Sequence, residues 1–343
     1  DALPIYRQNS LRSRKLKNIQ ADIKSGNFKQ VYLLYGEEAY LKQQYKQNLV
    51  KALNPDGDTM NFNHYEGKGI DVKQLIDLCE TMPFFAERRV VLLEDTGFFK
   101  NKCEELADYM KELPDYLYLV FAETEVDKRN RMYKAVKACG SIAEFIRQDE
   151  KTLMRWAAGI LGKAGKKITQ RDMELLLTKT GTDMGNLRME MEKLISYTEG
   201  RDVVTAEDIE EICTTQTTNR IFDMVRAVTE KNQKRALELY YDLLTLKEPP
   251  MRILFLLAKQ YRQLLLAKQF AAAGLAQTEI ASKLGVPGFV VRNITTCARA
   301  YTISELEQAV KDFVDAEESV KTGRLEDKLS VELLIIKYSS KVK

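Results

Sequence analysis

Near residue 149 the hydrophobic pattern of this chain changes character, and that change limits its possible folds more than any other feature. Before it, short apolar runs alternate with helical periodicity: Val31–Tyr35, Glu38–Leu53, Asp71–Met82, Val90–Leu93, Lys102–Leu113 and Tyr116–Ala122. Alternation of strand and helix specifies a parallel α/β sheet, because parallel neighbours need a helical crossover rather than a tight turn. From Asp149 onward no segment reads as a strand, and helical patterns follow one another with caps and breakers between them. The expected fold class is therefore α/β followed by all-α.

In the helical part, four helices of modest length are expected over Lys151–Gly165, Thr169–Gly181, Gly185–Thr198 and Thr205–Thr214. Thr205 with Asp208 three residues on has the form of a capping box, and Gly200, Val203 and Val204 break the pattern before it. These four make a bundle of roughly 65 residues, marginal as an independent domain. A third block starts near Asn219, with helices over Ile221–Glu230 and Lys234–Leu246 and a stop at Pro249 and Pro250. Met251–Ala272 carries Leu254, Leu257, Tyr261, Leu264, Leu265 and Phe270, so it must be covered on most sides. Helices over Glu279–Leu284, Val290–Tyr301, Ser304–Lys321 and Glu326–Tyr338 complete the pattern.

Charge and cysteine usage narrow the function classes. Lys and Arg total 53 against 50 acidic residues, and a net charge of +3 is too small to steer nucleic acid by its global field, so any such contact is local. The longest apolar stretches, such as Val90–Leu93 and Ile253–Ala258, fall short of the roughly 20 residues that a membrane span needs. Asp1–Arg12 has no apolar run ending in a small-residue cleavage site, which makes a cytoplasmic address the expectation. Cys79, Cys103, Cys139, Cys213 and Cys297 are widely spaced and odd in number, which suits buried, reduced thiols. With one histidine, His64, and no paired ligand spacing, a zinc or iron site and most acid/base chemistry are disfavoured; His64 reads as a surface residue on a strand or turn.

The turn after Val31–Tyr35 stands where an α/β nucleotide-binding domain carries its phosphate loop, yet G-x-x-x-x-G-K-[ST] is absent. Gly36 is followed by Glu37, Glu38, Ala39, Tyr40 and Leu41, and Lys42 by Gln43, so the second glycine and the magnesium-binding hydroxyl are both missing. Val90–Asp95 superficially resembles a magnesium-holding strand, but without a phosphate loop Glu94 and Asp95 read as a solvated loop. Glu104 with Glu105 and Glu317 with Glu318 read as charged helix faces.

Thr81–Arg89 is more informative. Val72, Leu75, Ile76, Cys79 and Met82 line one helical face, Pro83 stops the helix, and Phe84 and Phe85 follow in a tight connection before the next strand. Two adjacent aromatics there cannot both easily enter one core. Either at least one is exposed as a plug for another protein's pocket, or the pair is a hydrophobic staple under the sheet. Further on, Asp127 reads as an N-cap, which places Lys128, Arg129 and Arg131 in a helix's first turn against the dipole. Phosphate contact or an acidic neighbour would hold them there, a solvated face being the plain alternative. Thr278–Val291, with Gly285 in the turn, resembles a helix-turn-helix with Arg292 and Asn293 early in its second helix, and packing is its better reading.

The order of these pieces resembles the delta-subunit family of bacterial DNA polymerase III clamp loaders, from about Leu16 to Tyr338. The carriers are V-Y-L-L-Y-G-E-E (Val31–Glu38), L-C-E-T-M-P-F-F-A-E-R-R (Leu78–Arg89), D-K-R (Asp127–Arg129), I-F-D-M-V (Ile221–Val225) and K-T-G-R (Lys321–Arg324). The resemblance implies an AAA+-like α/β domain lacking a phosphate loop over 1–148, a helical lid over 149–216, and a helical collar for oligomerisation over 217–343. It implies a subunit of a DNA-directed DNA polymerase holoenzyme that binds and opens the sliding clamp, without a catalytic site or cofactor of its own. Implied partners are the beta clamp, the gamma/tau ATPase and delta prime subunits, and primer-template DNA, in a cytoplasmic, nucleoid-associated setting away from membranes. The clamp-binding plug would fall on Phe84 and Phe85, with Met82 and Pro83 shaping the approach, and Lys128, Arg129 and Arg131 are candidates for DNA or partner contact. An active AAA+ ATPase and a helix-turn-helix DNA-binding regulator are the alternatives.

Overall fold

The computed structural model describes residues 11–214, 217–286 and 288–340, with side chains undescribed at 11–17, 218, 219 and 289. Asp1–Ser10 and Pro287 lie outside the described residues. The chain divides into two compact units between Gln148 and Asp149.

The first unit runs α1 (Leu11–Ser25), β1 (Val31–Tyr35), α2 (Ala39–Leu53), β2 (Phe62–Glu66), α3 (Val72–Glu80), β3 (Arg89–Glu94), α4 (Glu104–Tyr109), β4 (Leu117–Glu123), α5 (Arg131–Cys139) and β5 (Ser141–Glu144). Its five strands form one parallel sheet in the order β2-β3-β4-β1-β5. The central strands are apolar throughout because both faces are covered. Val31, Leu33, Val91, Leu93, Leu119 and Phe121 point to the face where Leu75, Cys79, Leu106, Met132 and Val136 of α3, α4 and α5 close the core. On the other face α2 buries Leu41, Tyr45, Leu49 and Leu53.

Three expectations for this unit need correction. Strands β2 and β5 were absent from the sequence pattern: β2 reads Phe-Asn-His-Tyr-Glu and is half-exposed along its length, and β5 has four residues, so neither edge strand carries a long apolar run. Helix α3 ends at Glu80 with Thr81 as C-cap, two residues before Met82. Asn130, not Asp127, caps α5: its Oδ1 accepts from Met132 N at 2.8 Å, while Asp127 Oδ1 accepts from Arg129 N at 2.9 Å in the preceding turn. Of the three cations, only Arg131 stands in the helix's first turn.

In the second unit come α6 (Glu150–Lys163), β6 (Lys167–Ile168), α7 (Gln170–Thr180), α8 (Met184–Tyr197), β7 (Val203–Val204) and α9 (Ala206–Ile212). The expectation of no strand after Asp149 is corrected by the two-residue parallel ladder of β6 with β7, too short to leave a period in the sequence. The capping box is formed, with Thr205 N donating to Asp208 Oδ2 at 2.9 Å. Helices α10 (Thr217–Thr229), α11 (Gln233–Thr245), α12 (Pro250–Ala272), α13 (Gln277–Leu284), α14 (Gly288–Ala298), α15 (Ile303–Lys321) and α16 (Asp327–Ser339) follow. They close around α12, whose buried Tyr261 meets the rings of Tyr301, Phe313 and Tyr338 at 5.9, 5.0 and 5.6 Å. Helices α13 and α14 do make a helix-turn-helix with Gly285 left-handed, but Ile280, Val291 and Ile294 are buried in this core. Arg292 stands 3.9 Å from Glu174 of α7.

Candidate functional site

The connection from α3 to β3 is held from two sides by polar side chains, two of them buried. At the helix end, Tyr116 Oη donates to Glu80 O at 2.8 Å. Arg89, buried at the first position of β3, donates from Nε to Thr81 O at 2.8 Å, from Nη2 to Met82 O at 3.3 Å and from Nη1 to Asn63 Oδ1 at 3.2 Å. These carbonyls lie at the negative end of the α3 dipole, where a cation is favoured. From the β2 side, buried Asn61 accepts from Phe84 N at 2.6 Å and donates to Phe84 O at 2.8 Å. One amide side chain thus pairs with both peptide groups of a single residue, as a neighbouring strand would.

On this anchored backbone the apolar side chains point outward. Met82 is 75 % exposed, Phe84 55 % and Phe85 95 %, and the two phenylalanine rings meet edge to face at 4.5 Å. Pro83 is half-buried beside them. Phe85 has φ +49, a left-handed conformation that costs a bulky residue on the order of 1 kcal/mol. Of the two arrangements left open by the sequence, the exposed pair is the one adopted, and no staple forms under the sheet. The sequence reading missed Asn61 and Arg89: a side chain gripping a backbone 23 residues away leaves no periodic signal.

At the turn where a phosphate loop would lie, this chain's own groups fill the donor positions. Glu38 N donates to Phe145 O at 3.1 Å, and Lys42 Nζ donates to Glu123 O at 3.0 Å, burial lowering the lysine's pKa. Glu94 was expected in a solvated loop, but its carboxylate lies 2.6 Å from Lys46 Nζ and 2.9 Å from His64 Nε2. Asp95 Oδ1 accepts from Thr124 N at 3.0 Å and from Thr124 Oγ1 at 2.8 Å. His64 is the strand residue expected, with its side chain partly exposed on β2. Among the described residues no group of three His, Cys, Asp or Glu could hold a metal ion, and no helix is long and apolar enough to cross a membrane. The cysteines are free; burial pushes Cys79 and Cys213 up to about 12, whereas Cys139 is exposed at the end of α5, contrary to the expectation of buried thiols.

Each of the three candidate cations has a carboxylate partner. Lys128 Nζ lies 3.0 Å from Glu144, Arg129 Nε 3.1 Å from Asp127, and Arg131 Nη2 2.7 Å from Asp108. All three cations are thus both exposed and paired with an acidic neighbour, in the segment after β4, whereas the Phe84–Phe85 loop precedes β3.

A parallel sheet in the order β2-β3-β4-β1-β5, a turn after β1 whose donors are engaged within the chain, and a helical second unit define the expected class, an α/β protein with an all-α second part. Family models described as "DNA polymerase III, delta subunit" and "DNA polymerase III delta subunit, C-terminal domain" match residues 32–145 and 218–338. The chain belongs to the DNA polymerase III delta subunit family. It is 26 % identical over 332 residues to the DNA polymerase III subunit delta of Bacillus subtilis, covering 93 % of this chain and 95 % of the relative. It is 22 % identical over 270 residues to the probable delta subunit of Aquifex aeolicus, covering 75 % of each. Among solved structures, the DNA clamp loader delta protein of Bacillus subtilis shares the fold at a TM-score of 0.65 and 24 % identity, over 95 % of this chain and all of that one.

Proposed function

We propose that this chain is the clamp-loader subunit that binds the sliding clamp through Phe84 and Phe85, with Met82 and Pro83 shaping the approach, and opens the ring for loading onto primed DNA. The observation that carries the reading is an exposed aromatic pair on a backbone pinned by buried Asn61 and Arg89. A free soluble surface gains nothing from presenting two ordered phenylalanines to water; a pocket in a partner does. Burying them contributes a few kcal/mol, about the scale of an interface hot spot, and drives opening to the extent that the loosened ring binds better than the closed one.

The chain acts by binding, without a catalytic site or bound nucleotide of its own. Lys42 and Glu94, the groups nearest to nucleotide chemistry, are committed to Glu123 O and to Lys46 and His64. ATP hydrolysis then belongs to gamma/tau partner subunits, with delta prime completing the assembly in the cytoplasm at the nucleoid. Within the second unit we assign 149–216 to a lid and 217–343 to a collar; α16 supports this by exposing Leu329, Leu333 and Ile336 opposite its buried Val331, Leu334 and Ile335. Lys128, Arg129 and Arg131 are the candidate contacts to primer-template DNA or a partner, reached by exchanging a carboxylate for a phosphate.

Titration of a bacterial sliding clamp into the full chain tests the reading. The parent should bind, and Phe84→Ala with Phe85→Ala should abolish binding while the thermal midpoint stays nearly unchanged. Retained binding by the double variant would overturn the assignment of the site.

A further inference from the structure

We infer that Asn61 and Arg89 are positioning residues of the docking loop: they hold it in its binding conformation before the partner arrives. This inference rests on the proposed clamp-binding role of Phe84 and Phe85.

Both side chains direct hydrogen bonds at the backbone of a loop that buries little of its own. Asn61 is 3 % exposed and Arg89 5 %, yet Met82, Phe84 and Phe85, whose segment they secure, are, apart from Met60, the most exposed large apolar side chains among the described residues of this unit. Were these two residues serving the core, their partners would lie in it. Arg89 instead directs its guanidinium to Thr81 O, Met82 O and Asn63 Oδ1, all neutral acceptors. A buried cation without a carboxylate among these bonds is costly, and what it secures is the order of residues 81 and 82.

Both residues are themselves fixed to the sheet. Val90 N donates to Asn61 O at 2.9 Å and Arg89 N to Tyr116 O at 2.8 Å, so the grip on the loop is referenced to β3 and β4 rather than to another flexible segment. Asn61 is steadied further by a short hydrogen bond from Nδ2 to Asp58, whose backbone N in turn donates to Asn54 Oδ1 at 2.9 Å, at the C-terminal end of α2.

The left-handed backbone of Phe85 supplies the reason for such a device. At φ +49 an unrestrained phenylalanine relaxes to negative φ, which would redirect its ring. Asn61, bonded to both peptide groups of the preceding residue, opposes that relaxation. A partner that recognises the left-handed form meets it already populated, and the apparent affinity is not divided by the fraction of competent loop.

The test uses the full chain with Asn61→Ala, Arg89→Met and Arg89→Lys, each titrated with a bacterial sliding clamp by calorimetry and stopped flow. Amide hydrogen exchange over residues 81–87 is followed in parallel. Asn61→Ala should weaken clamp binding about tenfold, the loss residing in association rate and binding entropy, with the binding heat capacity unchanged because the same rings are buried. Exchange at the Phe84 amide should accelerate in the same variant. Arg89→Lys keeps the charge and a donor and should recover part of the affinity that Arg89→Met removes; a purely structural arginine would give no such graded recovery in association rate. Parent-like affinity in a folded Asn61→Ala chain with a loosened Phe84 amide would overturn the positioning role while leaving the aromatic pair as the docking element. A parent chain that fails to bind the clamp would overturn the underlying reading, and this inference with it.

Discussion

A Cβ placed on Gly36 would stand 2.2 Å from the carbonyl oxygen of Phe145. The glycine that a phosphate loop uses to bring its backbone against a phosphate is here used to bring it against a peptide. Phe145 N donates to Tyr35 O at 2.7 Å and Phe145 O accepts from Glu38 N at 3.1 Å, so the segment leaving β5 is laced to the turn leaving β1. With φ at +125 as well, Gly36 has no tolerated replacement. Gly36→Ala should lower the unfolding free energy by on the order of 2 kcal/mol or more in urea denaturation. A change within the roughly 0.5 kcal/mol expected of a surface position would show that the close approach is not a constraint.

Glu123 gives a prediction in pH. It is 2 % exposed at the end of β4, where Oε1 accepts from Thr96 N at 3.1 Å and from Thr96 Oγ1 at 2.5 Å. Burial pushes its pKa above the ordinary carboxylate range; the Thr96 and Gly97 hydrogen bonds pull it back, and Asp95 adds a further upward push. A folded-state pKa above the unfolded one means that the folded chain holds the proton more tightly. That contribution is fully present below about pH 4, near the unfolded value, and is lost as pH rises through the folded pKa. Glu123→Gln keeps an acceptor oxygen for Thr96 and removes the charge. It should be more stable than the parent at about pH 8, the gain vanishing towards pH 4, as read from denaturant midpoints. A gain independent of pH would exclude this origin.

The sequence made the central strands legible and the edges illegible for one physical reason. Strands β1, β3 and β4 are covered on both faces and therefore read as continuous apolar runs, whereas β2 mixes Phe62 and Tyr65 with Asn63, His64 and Glu66. The exposure of the loop was legible at Phe84 and Phe85 because two adjacent aromatics after Pro83 conflict with a single core. Its support was not: Asn61 and Arg89 act through side chain to backbone bonds across the fold, which no spacing rule records. The cation cluster failed in a third way. Asp127 and Asn130 are both good caps, and local sequence does not say which of two caps a helix adopts.

The proposed assembly through 217–343 predicts a surface phenotype on α16. Leu329, Leu333 and Ile336 are partly exposed at helical spacing on the final helix, while Val331, Leu334 and Ile335 fill the core behind them. Leu333→Lys with Ile336→Lys should leave the isolated chain folded, since neither side chain is buried, and should weaken its co-sedimentation with partner loader subunits. Unchanged assembly would move the partner contact off this helix.

For the basic cluster, the ionic-strength dependence of DNA binding is the discriminating quantity. Lys128, Arg129 and Arg131 are themselves exposed and pair with Glu144, Asp127 and Asp108, and an ion pair to an exposed cation contributes little to stability and exchanges readily for a phosphate. If these cations touch primer-template DNA in the assembled loader, replacing all three with alanine should reduce the slope of log K against log salt by about 0.7 to 0.9 for each phosphate no longer neutralised. Clamp affinity of the isolated chain should not change, because the cluster is separate from the Phe84–Phe85 loop. A slope equal to the parent's would leave the three residues to their own carboxylates and place the DNA contact elsewhere.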